Sequence, residues 1–550
     1  MTALNPASWA AASRPCPNRN LTSRALTSPP PPARAIAHTR RLCRPQSAHQ
    51  HTINLQPRPI ITEPAPASGQ PTRRTLTARA AGTGASSLTA AAAAAAATFS
   101  ATSPFAQAAA ASATAVAARI STRNASEEVA VWTSDRPLRR LPASLDDPAA
   151  LAAAARMLPG YGEGPELYTL EGEQIDLSAA ERAFLQLLRT PGLDERLAAG
   201  DEEVEAAAAL VGDAVDIAVW RAFGPRGDDG SPESDAYHTF LQRMLYRINR
   251  LNHFWYDDLR NYENERSGFV AGIRDRIEGE WQAWERDGRA GAVPGQRLFA
   301  GLSVQQLIDE VRERAARDVD PPLGPVASYI REQMSFEGYR HLLAVGALDG
   351  LVEASRQSRV CAGAPNSVAT TVFRVLMEEY GNGKLPRKHS TFYHSMMSQL
   401  GLDTRPEAYF DLVPWQWLAS ANHNFLLTER RRHYLRYLGG LTYFEVNGPS
   451  VYRTYCAAAQ RLGLPPDAWG YWELHVREDE RHGRQMVEEV AVPLIQRYGV
   501  EDGWEVLWGY DQEVAMGRRA GQALVDDIRA MEAEEAAAEA KAKPAAKLAA

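Results

Sequence analysis

Between about residues 143 and 530 apolar side chains recur three and four positions apart and nowhere alternate. Phe240, Leu241, Met244, Leu245, Ile248 and Leu251 form one such stripe, and Phe184, Leu185, Leu187 and Leu188 another. This spacing lines one face of an α-helix, whereas a half-buried strand requires alternation at period two. Pro and Gly gather between the stretches, at 227–232, 288–295, 321–325, 381–386 and 463–466, where helices are expected to break. The fold class expected is all-α, about a dozen helices in all. A division near Pro321 gives a front helical layer, 143–320, then a compact bundle, 326–500, and a closing helix, 501–530. The Ala, Glu and Lys tail, 531–550, has little to bury and is expected to be disordered.

The first 126 residues differ in kind. Thirteen Arg, no Lys and one acid, Glu63, leave this stretch at +12, while the other 47 basic and 66 acidic residues leave the remainder at −19. An acidic body argues against nucleic acid as a partner, because neutralising phosphates takes clustered Lys and Arg. Cys16, Cys43, Cys361 and Cys456 share no CxxC spacing, which disfavours a disulfide framework or thiolate zinc and favours an intracellular protein. The Ala run Leu88–Thr98 is too short and too weakly apolar for a membrane span. Rich in Ser, Thr, Ala and Arg, the tail has the composition of an organellar, plastid-type transit peptide. Arg73-Arg74, ahead of that run and of Phe105-Ala106-Gln107-Ala108, also reads as a second, twin-arginine signal. The alternative is a bacterial cytoplasmic protein with a misplaced start.

The chemistry lies in the second bundle. His475, Asp479 and His482 fall at i, i+4 and i+7, one helix face within two turns, so two imidazoles and a carboxylate point the same way. Taken alone, that face is as readily a solvated one. Neighbouring helices add partners: Glu445 in an apolar stretch ending at Gly448-Pro449, Glu379 beside Glu378, His389 ten residues further on, and Glu353. Of the adjacent glutamates, one is expected to be surface only. Seven such residues supply three imidazoles and a ligand charge of −4, which balances two ferrous ions and would be prohibitive to bury unbalanced. Imidazole with carboxylate and no thiolate suits iron or manganese. The paired Glu-x-x-His motif of ferritin-like bundles is absent.

Residues 326–500 resemble the haem-oxygenase-like di-iron proteins, the iron-containing redox enzyme family. The resemblance is carried by Glu378-Glu-Tyr-Gly-Asn-Gly383, His389-Ser-Thr-Phe, Met397 to Leu402, Val413-Pro-Trp, Arg431 to Gly440, Phe444-Glu445 and His475-Val-Arg-Glu-Asp-Glu-Arg-His482. It implies metal ligands at Glu353, Glu379, His389, Glu445, His475, Asp479 and His482, choosing Glu379 over Glu378 and placing Glu353 on the family's first helix. It further implies two iron ions, dioxygen as co-substrate, no haem, and oxidation of a small organic substrate. Asn382 stands where relatives carry a third Gly, and the front layer faintly resembles a dimerisation region, so a homodimer is an expectation. Relatives divide into N-oxygenases of amines or guanidines and enzymes that desaturate or cleave carbon skeletons; the seventh ligand tilts the expectation towards oxygen insertion.

Phe392, Tyr393, Trp415, Trp417, Tyr443 and Trp472 lie near these ligands in the sequence, and at helical spacing are expected to be core more than pocket lining. His394, His423 and His433 are expected to be satisfied or exposed. The competing class of function is a non-catalytic metal-binding or dimeric interaction protein on the same helices.

Residues 1–126 lack the apolar content to offset their ordering entropy. A chain beginning near Glu127 is therefore expected to keep its helical circular dichroism and melting temperature. A large loss of either would show that the tail packs on the body.

Overall fold

A computed structural model describes residues 167–549 apart from 171–172, 225–231, 254–262, 287–298, 363–365 and 406. The basic tail, Cys16, Cys43 and the segment 143–166 lie outside the described residues. Apart from one hairpin, β1 (Leu167–Leu170) antiparallel to β2 (Glu173–Asp176) with Tyr168 opposite Ile175, the extended elements are all helical, as the periodicity predicts.

Among the described residues five helices make the front layer: α1 (Leu177–Arg189), α2 (Leu193–Ala198), α3 (Glu202–Phe223), α4 (Pro232–Arg250) and α5 (Gly268–Arg286). Asp176 starts α1 by accepting from the Ala179 N–H at 2.9 Å, and Asp201 starts α3 by accepting from Val204 at 3.3 Å, each satisfying an orphan donor of the first turn. Phe184, Leu188, Val211, Phe240, Met244, Ile277 and Trp281 close the layer's core. Buried within it, Glu181 of α1 pairs with Arg243, at 3.0 Å, and with Arg247, both from α4.

Helix α6 (Val304–Asp318) departs from the expected division. Its stripe Leu307, Ile308, Val311 packs with Leu435, Leu438, Val490, Ile495 and Val506 of the bundle, and Arg314 donates to Asp511 at 2.8 Å. It therefore belongs to the second body, because its apolar face finds its complement there.

The bundle continues with α7 (Pro325–Glu332), α8 (Phe336–Gly350), the single turn α9 (Ser358–Cys361), α10 (Ser367–Glu379), α11 (His389–Gln399), α12 (Trp415–Glu429), α13 (Tyr434–Arg461) and α14 (Gly470–Gln485). A π-helical segment, Met486–Ala491, leads into α15 (Val492–Asp502), and α16 (Trp504–Ala549) follows. Helix α13 is the axis, with α14 and α16 against its sides. At the α13–α16 crossing, side chains at Gly439 or Gly509 would collide with the partner's backbone carbonyl, so glycine permits the approach.

Helix α13 runs through Gly448-Pro449, where the apolar stretch around Glu445 ends, with Pro449 unable to donate to the Glu445 carbonyl. One boundary expectation is corrected: order does not stop at 531, since α16 extends to Ala549. Ala, Glu and Lys are strong helix formers, and Glu532 accepts from the Ser335 N–H at 2.9 Å and from the Tyr329 hydroxyl, tying this stretch to α7 and α8.

The front layer and bundle share one core, to which α12 contributes Trp415 and Ala419, and α16 Met516. At this seam His238 of α4 stacks on Trp415 with ring centroids 4.2 Å apart, fully buried and with neither ring nitrogen hydrogen-bonded. Burial pushes its pKa down to about 3, and burial likewise takes His341 of α8 to about 4. Below pH 6.5 the unfolded chain thus binds protons that the native state refuses. Their stabilisation is complete above the unfolded pKa and is lost as pH falls from about 6.5 towards 4 and 3. Each histidine is expected to cost about 1.5 kcal/mol of unfolding free energy between pH 6.5 and 5. Urea midpoints across that range should show it, and His238→Phe should flatten the slope by one histidine's share.

Candidate metal centre

The face predicted on α14 exists, and it is one turn longer. Tyr471, His475, Asp479 and His482, spaced by four, four and three, are all buried and face α8, α10, α11 and α13. His475 Nδ1 lies 2.8 Å from the Tyr471 carbonyl oxygen, which can only accept; Nδ1 therefore carries the proton and Nε2 faces the interior.

Around His475 Nε2 stand Glu353 Oε1 at 2.8 Å, His389 Nδ1 at 3.0 Å and Glu379 Oε2 at 3.7 Å, with Glu379 Oε2 in turn 2.7 Å from His389 Nδ1. On the other side, His482 Nδ1 meets Glu445 Oε2 at 3.3 Å, Glu379 Oε1 at 3.6 Å and Asp479 Oδ1 at 3.7 Å. Glu379 thus turns one oxygen to each group. One set is Glu353, Glu379, His389 and His475; the other is Glu379, Glu445 and His482, with Asp479 beside it. All seven residues singled out in the sequence converge.

Local backbone explains the convergence. Glu379 ends α10 and His389 begins α11, joined by a turn in which Gly381, Asn382 and Gly383 all have positive φ, +61°, +53° and +77°. Asn is the side chain besides Gly that visits this region at least cost, so the departure from the family pattern keeps the turn. Glu353 is not on a helix: α8 ends at Gly350, and Glu353 lies in the following turn, where Ala354 has φ +58°. Glu445 reaches inward because α13 and α14 cross closely. A Cβ at Gly483 would stand 2.9 Å from the Glu445 carbonyl oxygen, and one at Gly448 2.7 Å from Asp479 Oδ2.

Glu378, set aside in the sequence as a surface residue, has a place here. Its Oε2 accepts from His482 Nε2 at 2.6 Å, and Arg481 donates to both its oxygens, at 3.1 and 2.6 Å. That bond fixes the His482 ring with Nδ1 turned to the centre, the way carboxylates orient metal-ligating histidines. The legible signal was the Arg481-His482 pair beside two glutamates. Tyr471 was also missed: its hydroxyl donates to Glu353 Oε1 at 2.5 Å, and it sits at i−4 from His475.

The electrostatics follow from burial. Burial would raise the Glu379 carboxyl, but His389 and His475 outweigh it and hold it well below the ordinary range. Burial would lower His475 and His482. Glu353 and Asp479 instead hold the former well above the usual imidazole range, and Glu378 and Glu445 take the latter up to about 11. Asp479 is driven well above ordinary carboxyl values by burial, against the pull of His475. Four atoms of these residues have no hydrogen-bond partner: both Asp479 oxygens, His482 Nδ1 and Glu353 Oε2. Buried polar atoms left unpaired in this way are costly. Two imidazole-and-carboxylate sets sharing one carboxylate fit a pair of divalent ions of the iron type.

Residues 340–518 match the family model of the iron-containing redox enzymes. This segment is similar to that family and shares its haem-oxygenase-like helical fold. The chain is also similar to a nitrosourea synthase of Streptomyces achromogenes subsp. streptozoticus, 29% identical over 158 residues, which cover 28% of this chain and 32% of the relative. The matched segment contains every one of the seven residues and reaches into α16, past the bundle limit read from the sequence. Among the described residues no helix is long and apolar enough to cross a membrane.

Of the aromatics named from sequence, Tyr393 and Trp472 pack beside Tyr471, whereas Trp415 lies at the front-layer seam. His394 is exposed and His433 lies against Arg432 and Arg436, as expected. His423 differs: it is fully buried with both nitrogens unpartnered, kept neutral by burial and by Arg436 and Arg519. A groove of about 500 Å³ lined by Phe299, Leu302, Val500 and Trp504 contains none of the cluster residues.

Replacing Glu378 by Ala frees the His482 ring. Iron affinity is expected to fall about 10- to 100-fold with helix content unchanged, read by competitive chelator titration. Gly448→Ala, which displaces Asp479 alone, should weaken binding in the same assay.

Proposed function

We propose that the chain is a non-haem di-iron, dioxygen-dependent oxidoreductase acting on a small organic substrate, with N-oxygenation of an amine or guanidine favoured over oxidative C–C cleavage or desaturation. The observation that carries this reading is Glu379, buried between two imidazole-and-carboxylate sets with one oxygen turned to each. Glu353, His389 and His475 would hold one ion, Glu445, His482 and Asp479 the other, and Glu379 would bridge them. Two ferrous ions held there supply electrons for reducing dioxygen.

The chain's own part is to bind, orient and keep the site dry. Glu378 and Arg481 set the His482 ring, and the Tyr471 carbonyl sets His475. Tyr452, Tyr471 and Trp472, each less than a tenth exposed, wall the His475 side against water. The Tyr471 hydroxyl holds its proton at Glu353 Oε1. The preference for nitrogen chemistry is supported by the similarity to a nitrosourea synthase, whose named product contains oxidised nitrogen, and by the seventh ligand.

Iron-loaded protein is expected to carry about two iron atoms per chain, the count two-metal sites require. Glu445→Ala and His475→Ala should each lower it. In an oxygen electrode, amines and guanidines should accelerate oxygen uptake more than fatty acids do. If fully loaded protein consumes oxygen no faster than iron in buffer with every candidate, the metal-binding or interaction protein takes the place of the enzyme.

A further inference from the structure

The aromatic side chains around His475 form a continuous file that leads away from the centre. Tyr471 and Tyr452 pack on the His475 ring at centroid distances of 4.3 and 5.0 Å. Trp472 follows, 4.9 Å from Tyr471 and stacked on Tyr452 at 5.4 Å. Tyr455 comes next, 4.9 Å from Trp472 and one turn of α13 beyond Tyr452. Tyr471, Tyr452 and Trp472 are 4%, 8% and 5% exposed, while Tyr455 is only partly buried and so meets solvent. Neighbouring rings at such distances favour mutual contact in any core. This file has two further properties. All four rings are of the oxidisable kinds, Tyr or Trp, and the inner one donates its hydroxyl to Glu353 rather than to a backbone carbonyl.

We propose that Tyr471, Tyr452, Trp472 and Tyr455 are a one-electron conduit between the candidate metal centre and the protein surface. Its use in turnover rests on the oxygen-dependent reading above: when no substrate is bound, electrons drawn inward from Tyr455 reduce the oxidised centre and divert damage from the ligands. For each electron passed inward, Tyr455 is oxidised and its phenolic proton goes to solvent. Run in reverse, an oxidant at the surface takes an electron from Tyr455, Trp472 refills it, and Tyr471 refills Trp472. The Tyr471 proton then moves along its existing hydrogen bond to Glu353 Oε1.

The reverse direction tests the conduit without iron or oxygen chemistry, so its failure is separate from failure of the proposed function. Metal-free full-length protein is illuminated with a ruthenium tris-bipyridyl photo-oxidant and persulfate, and oxidised residues are mapped by peptide mass spectrometry. Tyr471 is expected to be modified. Trp472→Phe, which leaves only the longer steps through Tyr452 at 6.3 and 6.2 Å, should lower the Tyr471 modification severalfold, and Trp472→Tyr, which restores an oxidisable ring, should bring it back. Circular dichroism melts of both variants confirm that they fold. Modification of Tyr471 undiminished in Trp472→Phe, or confined in the wild type to Tyr455 and other exposed rings, would overturn the proposal.

Discussion

Glu379, Glu445 and Asp479 stand within one small interior space, 6%, 4% and 1% exposed. Removing that much negative charge from water costs several kcal/mol per ion unless cations stand among the carboxylates. Three imidazoles supply part of the answer, and the unpartnered Asp479 and Glu353 oxygens show that it is incomplete. The other features of the bundle serve this constraint: helices must approach closely enough to bring the seven residues together and seal them from solvent.

Small residues at two crossings meet that requirement. Gly439 and Gly509 seat α16 on α13, while Gly448 and Gly483 seat α14 on it. Pro449 leaves the Glu445 carbonyl without its usual helical donor at the level where Gly483 packs. A bulkier side chain here would separate Glu445 from His482, so the glycines are part of the cluster's geometry. The same economy explains the turn before His389, where left-handed backbone carries the chain from Glu379 to His389 in few residues.

Around the cluster, further groups set which atom two of its histidines present. Glu378 and Arg481 orient His482, and a backbone carbonyl orients His475. On the far side of α12 and α16, the front layer covers the bundle through a shared apolar seam that includes an unpartnered, neutral His238. Fold stability and site geometry therefore draw on different parts of the chain.

The helical class, the breaks at 321–325, 381–386 and 463–466 and the buried face of α14 were legible in the sequence because each is written locally. The i, i+4, i+7 spacing of His475, Asp479 and His482 already places them on one face. What the sequence left open was decided by contacts between residues far apart in the chain. Whether Glu378 is surface or orienting partner depends on α10 ending over α14. The assignment of α6 to the bundle depends on which apolar face complements its own, and the continuity of α13 through Pro449 depends on packing that outweighs one lost hydrogen bond. Glu353 is a turn residue because α8 stops at Gly350, and no periodicity reports where a helix is made to stop by its neighbours. Local pattern determined the elements and most of the clustered residues; tertiary packing decided which oxygen of Glu379 faces which set, because that requires four helices to be in place at once.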